Sequence, residues 1–169
     1  PTMDMERPED LIPHRPPFLL IDAVTGGEDG PDGLPATLTA RFAVRPEAPL
    51  FAQIFPGHYP GAPVTPGVIL CEIVFQAGAL LMAKRLRRAA AQGAKPTGVP
   101  VITRIRDARF KRMVRPGETL EVSVAFDEQA GAAYYLDGKI TVGGALALRV
   151  AFTCALVDAP AAEKTEGAQ

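Results

Sequence analysis

Two side chains of this sequence, a histidine and a glutamate 14 positions apart, are the best suited to acid–base chemistry. His58 lies in the stretch GHYPG, where glycines allow close approach of the backbone and Pro60 stiffens the turn. Glu72 lies in an almost wholly apolar run, with no lysine or arginine within one helical turn. Alone, His58 could be a turn residue bonded to nearby backbone, and Glu72 an early-helix acid favoured by the helix dipole. Together they indicate a reactive site.

Two further groups complete the predicted site. Gln76 follows Glu72 by four positions, one helical turn, and is predicted to orient its carboxyl group. The N–H groups of Gly67 and Val68 stand at the start of the predicted helix, where they have no intrahelical partner and could hold a developing oxyanion. This set predicts removal of a proton next to a carbonyl, coupled to departure of a neighbouring group. Covalent acyl transfer is disfavoured, because Cys71 lies among apolar residues and there is no nucleophile elbow.

One long helix must position these residues, and it is predicted from Gly67 to about Ala91, with Gly93 ending it. Its first four turns are apolar nearly all round, so other elements must cover it on several sides. The segment 45–66 before it has no periodic pattern and is predicted to be a long functional loop.

The rest of the chain is predicted to be mainly strands, from alternating apolar residues and turn signals. The predicted strands are Phe18–Val24, Thr37–Val44, a strand from Val99 through Ile105, Leu120–Phe126, Tyr134–Val142 and Ala145–Val157. Curling such a sheet around the helix gives an α+β fold. A second copy of the chain is predicted to cover the remaining apolar side.

Length and composition restrict the class of protein. The chain of 169 residues predicts one domain, 1–158, with a disordered tail at 159–169. A net charge of −1 lacks the basic excess expected of a nucleic-acid-binding protein. Two histidines without ligand spacing predict no metal site. Cys71 and Cys154, each flanked by apolar residues, are predicted to be buried free thiols, with a disulfide the less favoured option.

The sequence also predicts a cytoplasmic protein. Residues 1–10 are acidic and polar, without the basic start and apolar block of an export signal. The most apolar window, 68–83, contains Glu72 and Gln76 and is predicted to be too short and too polar to span a bilayer. Neither a membrane nor a nucleic acid is therefore expected as a partner.

Three sequence motifs make the chain resemble the 3-hydroxyacyl-[acyl-carrier-protein] dehydratases of the FabZ type, which have the hotdog fold. They are LIPHRPPFLLID at 11–22, GHYPGAPVTPGVILCE at 57–72 and RDARFKRMVRPGE at 106–118. The resemblance covers about residues 8–158. The order and separation of the three motifs, including the spacing of His58 and Glu72, match the family.

The resemblance implies a curled antiparallel sheet around the helix and a homodimer, with trimers of dimers left open. It implies a site shared between subunits, in which His58 removes the α-proton and Glu72 protonates the leaving 3-hydroxyl, while Gly67 polarises the thioester carbonyl. No metal or redox cofactor is needed. The substrate would be a phosphopantetheine-linked acyl chain on acyl carrier protein, with Arg109, Lys111 and Arg112 the candidate contacts for that protein.

The resemblance also assigns secondary roles. Family members that both dehydrate and isomerise carry aspartate where this chain has Glu72, so glutamate favours dehydration alone. His14, in the first motif, is interpreted as structural.

Departures from the family pattern leave alternatives open. Thr65 stands where a bulky apolar residue is common, PVITRI at 100–105 lacks the usual aromatics, and APLFAQIFPG at 48–57 differs from the usual approach loop. These changes affect the predicted tunnel, so acyl length and pathway stay undetermined. The alternatives are a hotdog acyl-thioesterase and a non-catalytic acyl-binding partner of an active homologue.

Overall fold

The computed structural model describes residues 6–158 of the chain. The helices are α1 (Pro8–Leu11), α2 (Pro49–Ile54), which a 3-10 turn at Phe55–Gly57 follows directly, and α3 (Gly67–Ala91). The strands are β1 (Ala23–Gly26), β2 (Thr37–Ala43), β3 (Val99–Phe110), β4 (Thr119–Ala130), β5 (Ala133–Val142) and β6 (Ala145–Val157). The predicted tail at 159–169 lies outside the described residues.

The strands form an antiparallel sheet in the order β1–β2–β4–β5–β6–β3, which packs on α3. In β4, Leu120, Val122 and Val124 are buried against the helix, while Glu121 between them faces outward, as the alternation predicts. The helix supplies the opposite half of the core. The α+β arrangement predicted from the sequence is confirmed.

Helix α3 has the limits that local signals predict. Pro66 precedes its first residue, where a missing N–H costs nothing. At its end Gly93 takes a φ of 95°, a left-handed conformation that glycine adopts without strain. The N–H of Gly93 donates to the carbonyl of Ala90, and the next N–H donates to that of Ala89, both at 3.0 Å. This glycine-terminated cap stops the helix.

A glycine in the sheet allows α3 to lie close against it. A Cβ atom at Gly138 of β5 would stand 2.2 Å from Cγ1 of Val74, so only glycine fits at this contact. Val74, Ile73, Leu80 and Leu81 of the helix are completely buried. Burial of each such side chain is worth about 1.5–3 kcal/mol.

By length and composition, α3 could cross a membrane, although the sequence window 68–83 was predicted to be too short and polar for that. More than half of its most apolar window is buried by the chain's own sheet and loops. This is how the core helix of a soluble protein is packed.

Strand β3 ends the sheet on one side and pairs only with β6 among the described strands. Most of its residues are exposed, including Val101, Ile102 and Ile105, the last with 51% of its surface accessible. An edge of 12 residues with exposed apolar side chains invites pairing with another strand.

Two predicted segments differ from the structure. The strand predicted at Phe18–Val24 begins only at Ala23, because the side chain of Gln76 occupies the backbone groups of Phe18 and Leu20 that a ladder would use. The loop predicted at 45–66 contains α2. Its formation depends on tertiary packing, since Phe51 is buried against Phe42 and Phe55.

Candidate active site

Gln76 is completely buried, and its amide group forms hydrogen bonds with Glu72 and with the backbone of Phe18 and Leu20. Its Nε2 donates to the carbonyl of Phe18 at 2.8 Å and to Oε1 of Glu72 at 2.9 Å. Its Oε1 accepts the N–H of Leu20 at 2.8 Å. Because both ends of the amide are satisfied, it holds the 18–20 segment and the Glu72 carboxyl in fixed relation.

Glu72 lies at the wall of an apolar cavity of about 660 Å³, formed by α1, α3, β3 and β6. The same face of α3 contributes Phe75, Ala79 and Met82, so the wall runs roughly 15 Å along the helix from Glu72. Phe152 lies among the apolar residues on the sheet side. A carboxyl group at one point of a long apolar wall suits a substrate with one polar end and an aliphatic chain.

His14 also borders this cavity and contacts Glu72. Its Nε2 lies 3.4 Å from Oε1 of Glu72, and each of the two side chains is about one-quarter exposed. The imidazole stacks on Phe18 with ring centroids 6.4 Å apart. A residue interpreted from the sequence as structural is therefore a neighbour of the candidate acid.

His58 lies in a different place on the chain. Its Nδ1 is 3.1 Å from the carbonyl oxygen of Val64, a contact in which Nδ1–H donates. That tautomer leaves the lone pair of Nε2 free to accept a proton. Within residues 6–158 of one chain, His58 is not among the residues lining the cavity beside Glu72. In the described part of one chain, His58 therefore does not share this cavity with Glu72.

Tyr59 restrains the ring of His58. The two rings meet edge to face, with centroids 4.8 Å apart and planes at 88°. Tyr59 has a φ of 54°, a left-handed conformation that costs a bulky residue free energy and is concentrated at functional sites. The turn thus holds the histidine in one orientation.

The start of α3 offers two unpaired donors. The N–H groups of Ile69 and Leu70 both donate to the carbonyl of Pro66, whereas those of Gly67 and Val68 donate to no group in the described part of the chain. Phe110 packs over Gly67 so closely that a Cβ there would lie 2.8 Å from its ring. Because residue 67 is glycine, the ring of Phe110 can pack directly against the start of α3, where the N–H groups have no partner in the described part of the chain.

Thr65 connects this helix start to the segment after β3. Its N–H donates to the carbonyl of the buried Val114 at 2.7 Å. Its own hydroxyl is buried and has no hydrogen-bond partner among the described residues. The departure from the family at this position therefore places a polar atom, not an apolar one, against the helix start.

The two cysteines are buried and free, as predicted. Burial raises the pKa of the Cys71 thiol above its usual value and that of Cys154 to about 11. Because the thiolate is the nucleophile, neither sulfur is activated for acyl transfer at neutral pH.

The three basic candidates for carrier-protein contact differ in what they already bind. Arg112 forms a two-pronged pair with Glu118, at 2.9 and 2.5 Å, and its guanidinium holds the pKa of that carboxyl below its usual value. Arg109 Nε lies 2.9 Å from Asp107. Lys111 is exposed and forms no ion pair within residues 6–158.

A protein-family model described as "FabA-like domain" matches residues 12–151, which include both candidate catalytic residues and the part of the cavity wall that α3 contributes. The chain belongs to this family. It is 36% identical over 158 residues to the 3-hydroxyacyl-[acyl-carrier-protein] dehydratase FabZ of Anaeromyxobacter sp., covering 94% of this chain and 92% of that protein. It is 32% identical to FabZ of Rickettsia massiliae, covering 92% and 97%. The resemblance found in the sequence motifs is confirmed.

Solved structures show the same fold at low sequence identity. The dehydratase heterocomplex ApeI:P from Xenorhabdus doucetiae matches with a TM-score of 0.69 at 14% identity, covering 90% of this chain and 92% of that one. A hypothetical thioesterase with coenzyme A from Streptococcus pneumoniae matches with a TM-score of 0.56 at 12% identity, covering 80% and 84%. The hotdog fold of this FabA-like domain is confirmed, and the fold alone does not separate dehydratase from thioesterase.

Sequence reasoning did not anticipate the contact of His14 with Glu72. The two residues lie far apart in the chain, and α1 and the turn after it bring them together. The available signal was the first motif itself, which places a histidine between prolines next to Arg15.

Proposed function

We propose that this FabA-like chain dehydrates a 3-hydroxyacyl thioester on acyl carrier protein to a trans-2-enoyl thioester. The observation that carries the proposal is the placement of Glu72, a carboxyl group held by Gln76 at the wall of a long apolar cavity. The curated relatives that share more than 30% identity over nearly the whole chain are named as such dehydratases.

In the proposed reaction, Nε2 of His58 takes the proton from the carbon next to the thioester carbonyl. The contact of Nδ1 with Val64 favours the tautomer that can do this. The electron pair left on that carbon forms the double bond to the neighbouring carbon. The bond between this neighbouring carbon and its hydroxyl group breaks, and the hydroxyl group leaves as water after taking a proton from Glu72. After this step His58 carries the α-proton and Glu72 has lost its own, so passage of the proton from Nε2 of His58 to the Glu72 carboxylate restores both groups for the next turnover.

The thioester carbonyl becomes negatively charged during this step, and the start of α3 is proposed to stabilise it. Gly67 and Val68 present N–H groups without a partner in the described chain, at the positive end of the helix dipole. Donors aimed at a developing oxyanion are typically among the largest contributions to catalysis.

We propose that the active unit is a homodimer in which His58 of the partner subunit meets Glu72. Two observations support this. His58 does not border the cavity of its own chain, and β3 presents a long, exposed, partly apolar edge that a second copy can cover. Assembly of dimers into a trimer of dimers, and a cytoplasmic location, belong to the same proposal.

The assay that tests this function mixes the purified chain with 3-hydroxyacyl thioesters of increasing chain length on acyl carrier protein. We expect enoyl product without free thiol, with kcat/KM rising until the chain fills the roughly 15 Å apolar wall. Free thiol without enoyl product would indicate a thioesterase instead. A homodimer that binds the substrate without converting it would indicate a non-catalytic acyl-binding protein.

Lys111 is the basic residue that we propose contacts the acidic carrier protein, because Arg109 and Arg112 already pair with carboxylates. Lys111→Glu is expected to raise KM for carrier-linked substrate several-fold, an effect that weakens as salt increases. KM for the same acyl group on free pantetheine should not change, because that substrate lacks the protein surface. Arg112→Gln is the matched comparison. An equal rise in both KM values for Lys111→Glu would contradict a role in carrier binding.

A further inference from the structure

The two oxygens of the Glu72 carboxyl group have different surroundings. Oε1 accepts a hydrogen bond from Nε2 of Gln76 at 2.9 Å, and Nε2 of His14 approaches the same oxygen at 3.4 Å. Oε2 has no hydrogen-bond or ion-pair partner in the described part of the chain. One hydrogen-bond donor and one imidazole nitrogen therefore face the same oxygen, and the other oxygen has neither beside it.

The orientation of the His14 ring is fixed by its surroundings. The ring stacks on Phe18 at an interplanar angle of 27°. The turn that carries it is held by Arg15, whose Nη1 donates to the carbonyls of Ile12 at 2.8 Å and His14 at 2.7 Å. Nδ1 of His14 is buried without a partner among residues 6–158.

This burial selects the tautomer. If Nδ1 carried the proton, a buried N–H donor would have no acceptor, and Nε2 would turn a lone pair toward a carboxyl oxygen that is itself an acceptor. If Nε2 carries the proton, the partial positive charge of that N–H lies 3.4 Å from Oε1, and only a lone pair is left unpaired at Nδ1. The contact with Glu72 therefore favours the Nε2–H form.

We infer that His14 is a positioning residue for Glu72, which fixes the acidic proton on Oε2. This inference rests on the proposed dehydratase function. A protonated carboxyl group has one carbonyl oxygen, which accepts hydrogen bonds, and one hydroxyl oxygen, which donates. The hydrogen bond from Gln76 and the partial positive charge of the His14 Nε2–H beside it both favour Oε1 as the carbonyl oxygen, so the proton resides on Oε2. Glu72 then enters the reaction with its O–H directed away from Gln76 and His14, toward the leaving hydroxyl.

A purely structural His14 would pack on Phe18 and contribute nothing else. Two substitutions separate the alternatives. His14→Phe keeps an aromatic ring for the stack and removes the donor. His14→Gln places an amide N–H near the position of Nε2 and removes the ring.

We expect His14→Phe to lower kcat about tenfold with little change in KM, because a donor to the reacting group is lost and substrate contacts are kept. His14→Gln should retain most of the wild-type kcat. If His14→Phe keeps wild-type kcat, or if both variants lose activity only in proportion to a lower Tm, His14 does not position Glu72.

A second measurement does not depend on dehydration. The chain contains two histidines, so the nitrogen NMR spectrum of the intact protein shows two imidazole rings, which the His14→Phe variant assigns. We expect Nε2–H for His14, opposite to the Nδ1–H of His58, and loss of this preference in Glu72→Leu. An Nδ1–H tautomer at His14 would overturn the inference even if the enzyme is active. An inactive wild-type enzyme with the expected tautomers would instead overturn the proposed function.

Discussion

Glu72→Gln is expected to lower kcat for dehydration by about 10²–10⁴-fold, the usual worth of a general acid. The amide has nearly the same size and can still accept the hydrogen bond from Gln76, but it has no acidic proton for the leaving hydroxyl. KM should change little, because the apolar wall that binds the acyl chain is intact. Steady-state formation of the enoyl thioester measures both constants.

Glu72→Asp is the control that keeps an acid but shortens its reach. Withdrawing the carboxyl by one methylene breaks the close contact with Gln76, so we expect an intermediate kcat. A Glu72→Gln enzyme that works at nearly the wild-type rate would remove Glu72 from the mechanism.

The elements that the sequence predicts well are those defined by local signals. Helix α3 starts after Pro66 and stops at Gly93, and β6 follows a tight turn at Gly143–Gly144 and begins at Ala145, each as predicted. Glycine and proline restrict the backbone whatever the tertiary context, so these boundaries can be found without a structure.

The elements that the sequence does not predict depend on distant partners. Residues 18–21 look like a strand, and Leu20 and Ile21 are indeed buried, but the amide of Gln76 takes the backbone bonds. Helix α2 is too short to show a period, and it is stabilised by the contact of Phe51 with Phe42 and Phe55. Pro49 at its start is the local signal for this helix.

The same distinction applies to the candidate site. The types and spacing of His58, Glu72 and Gln76 indicate chemistry, because an acid and an amide on an apolar helix need a reason to be there. The contact of His14 with Oε1 of Glu72 depends on a folded turn, and the role of His14 depends on the burial of one ring nitrogen. Neither can be read from the sequence.

His58→Ala is expected to abolish dehydration, with a loss of kcat at least as large as that of Glu72→Gln, because no other group replaces the base. The fold should persist, since the side chain is only half-buried and its one described hydrogen bond goes to a neighbouring loop carbonyl. Thermal unfolding of the variant checks this, and a Tm far below that of the wild type would make the loss of activity uninformative. His58→Gln, which keeps a donor near Val64, is the control for that case.

Mixing the two inactive variants tests where the base comes from. If the partner subunit supplies His58 to Glu72, a mixed dimer of His58→Ala and Glu72→Gln chains contains one site with both mutations and one site with neither. Unfolding and refolding the variants together in equal amounts should give half mixed dimers, and hence roughly a quarter of the wild-type activity, from two inactive proteins. If both groups came from one chain, every site in every dimer would lack one of them. Activity that stays at the level of the separate variants, in a sample shown to contain mixed dimers, would contradict the shared site and require His58 to reach Glu72 of its own chain.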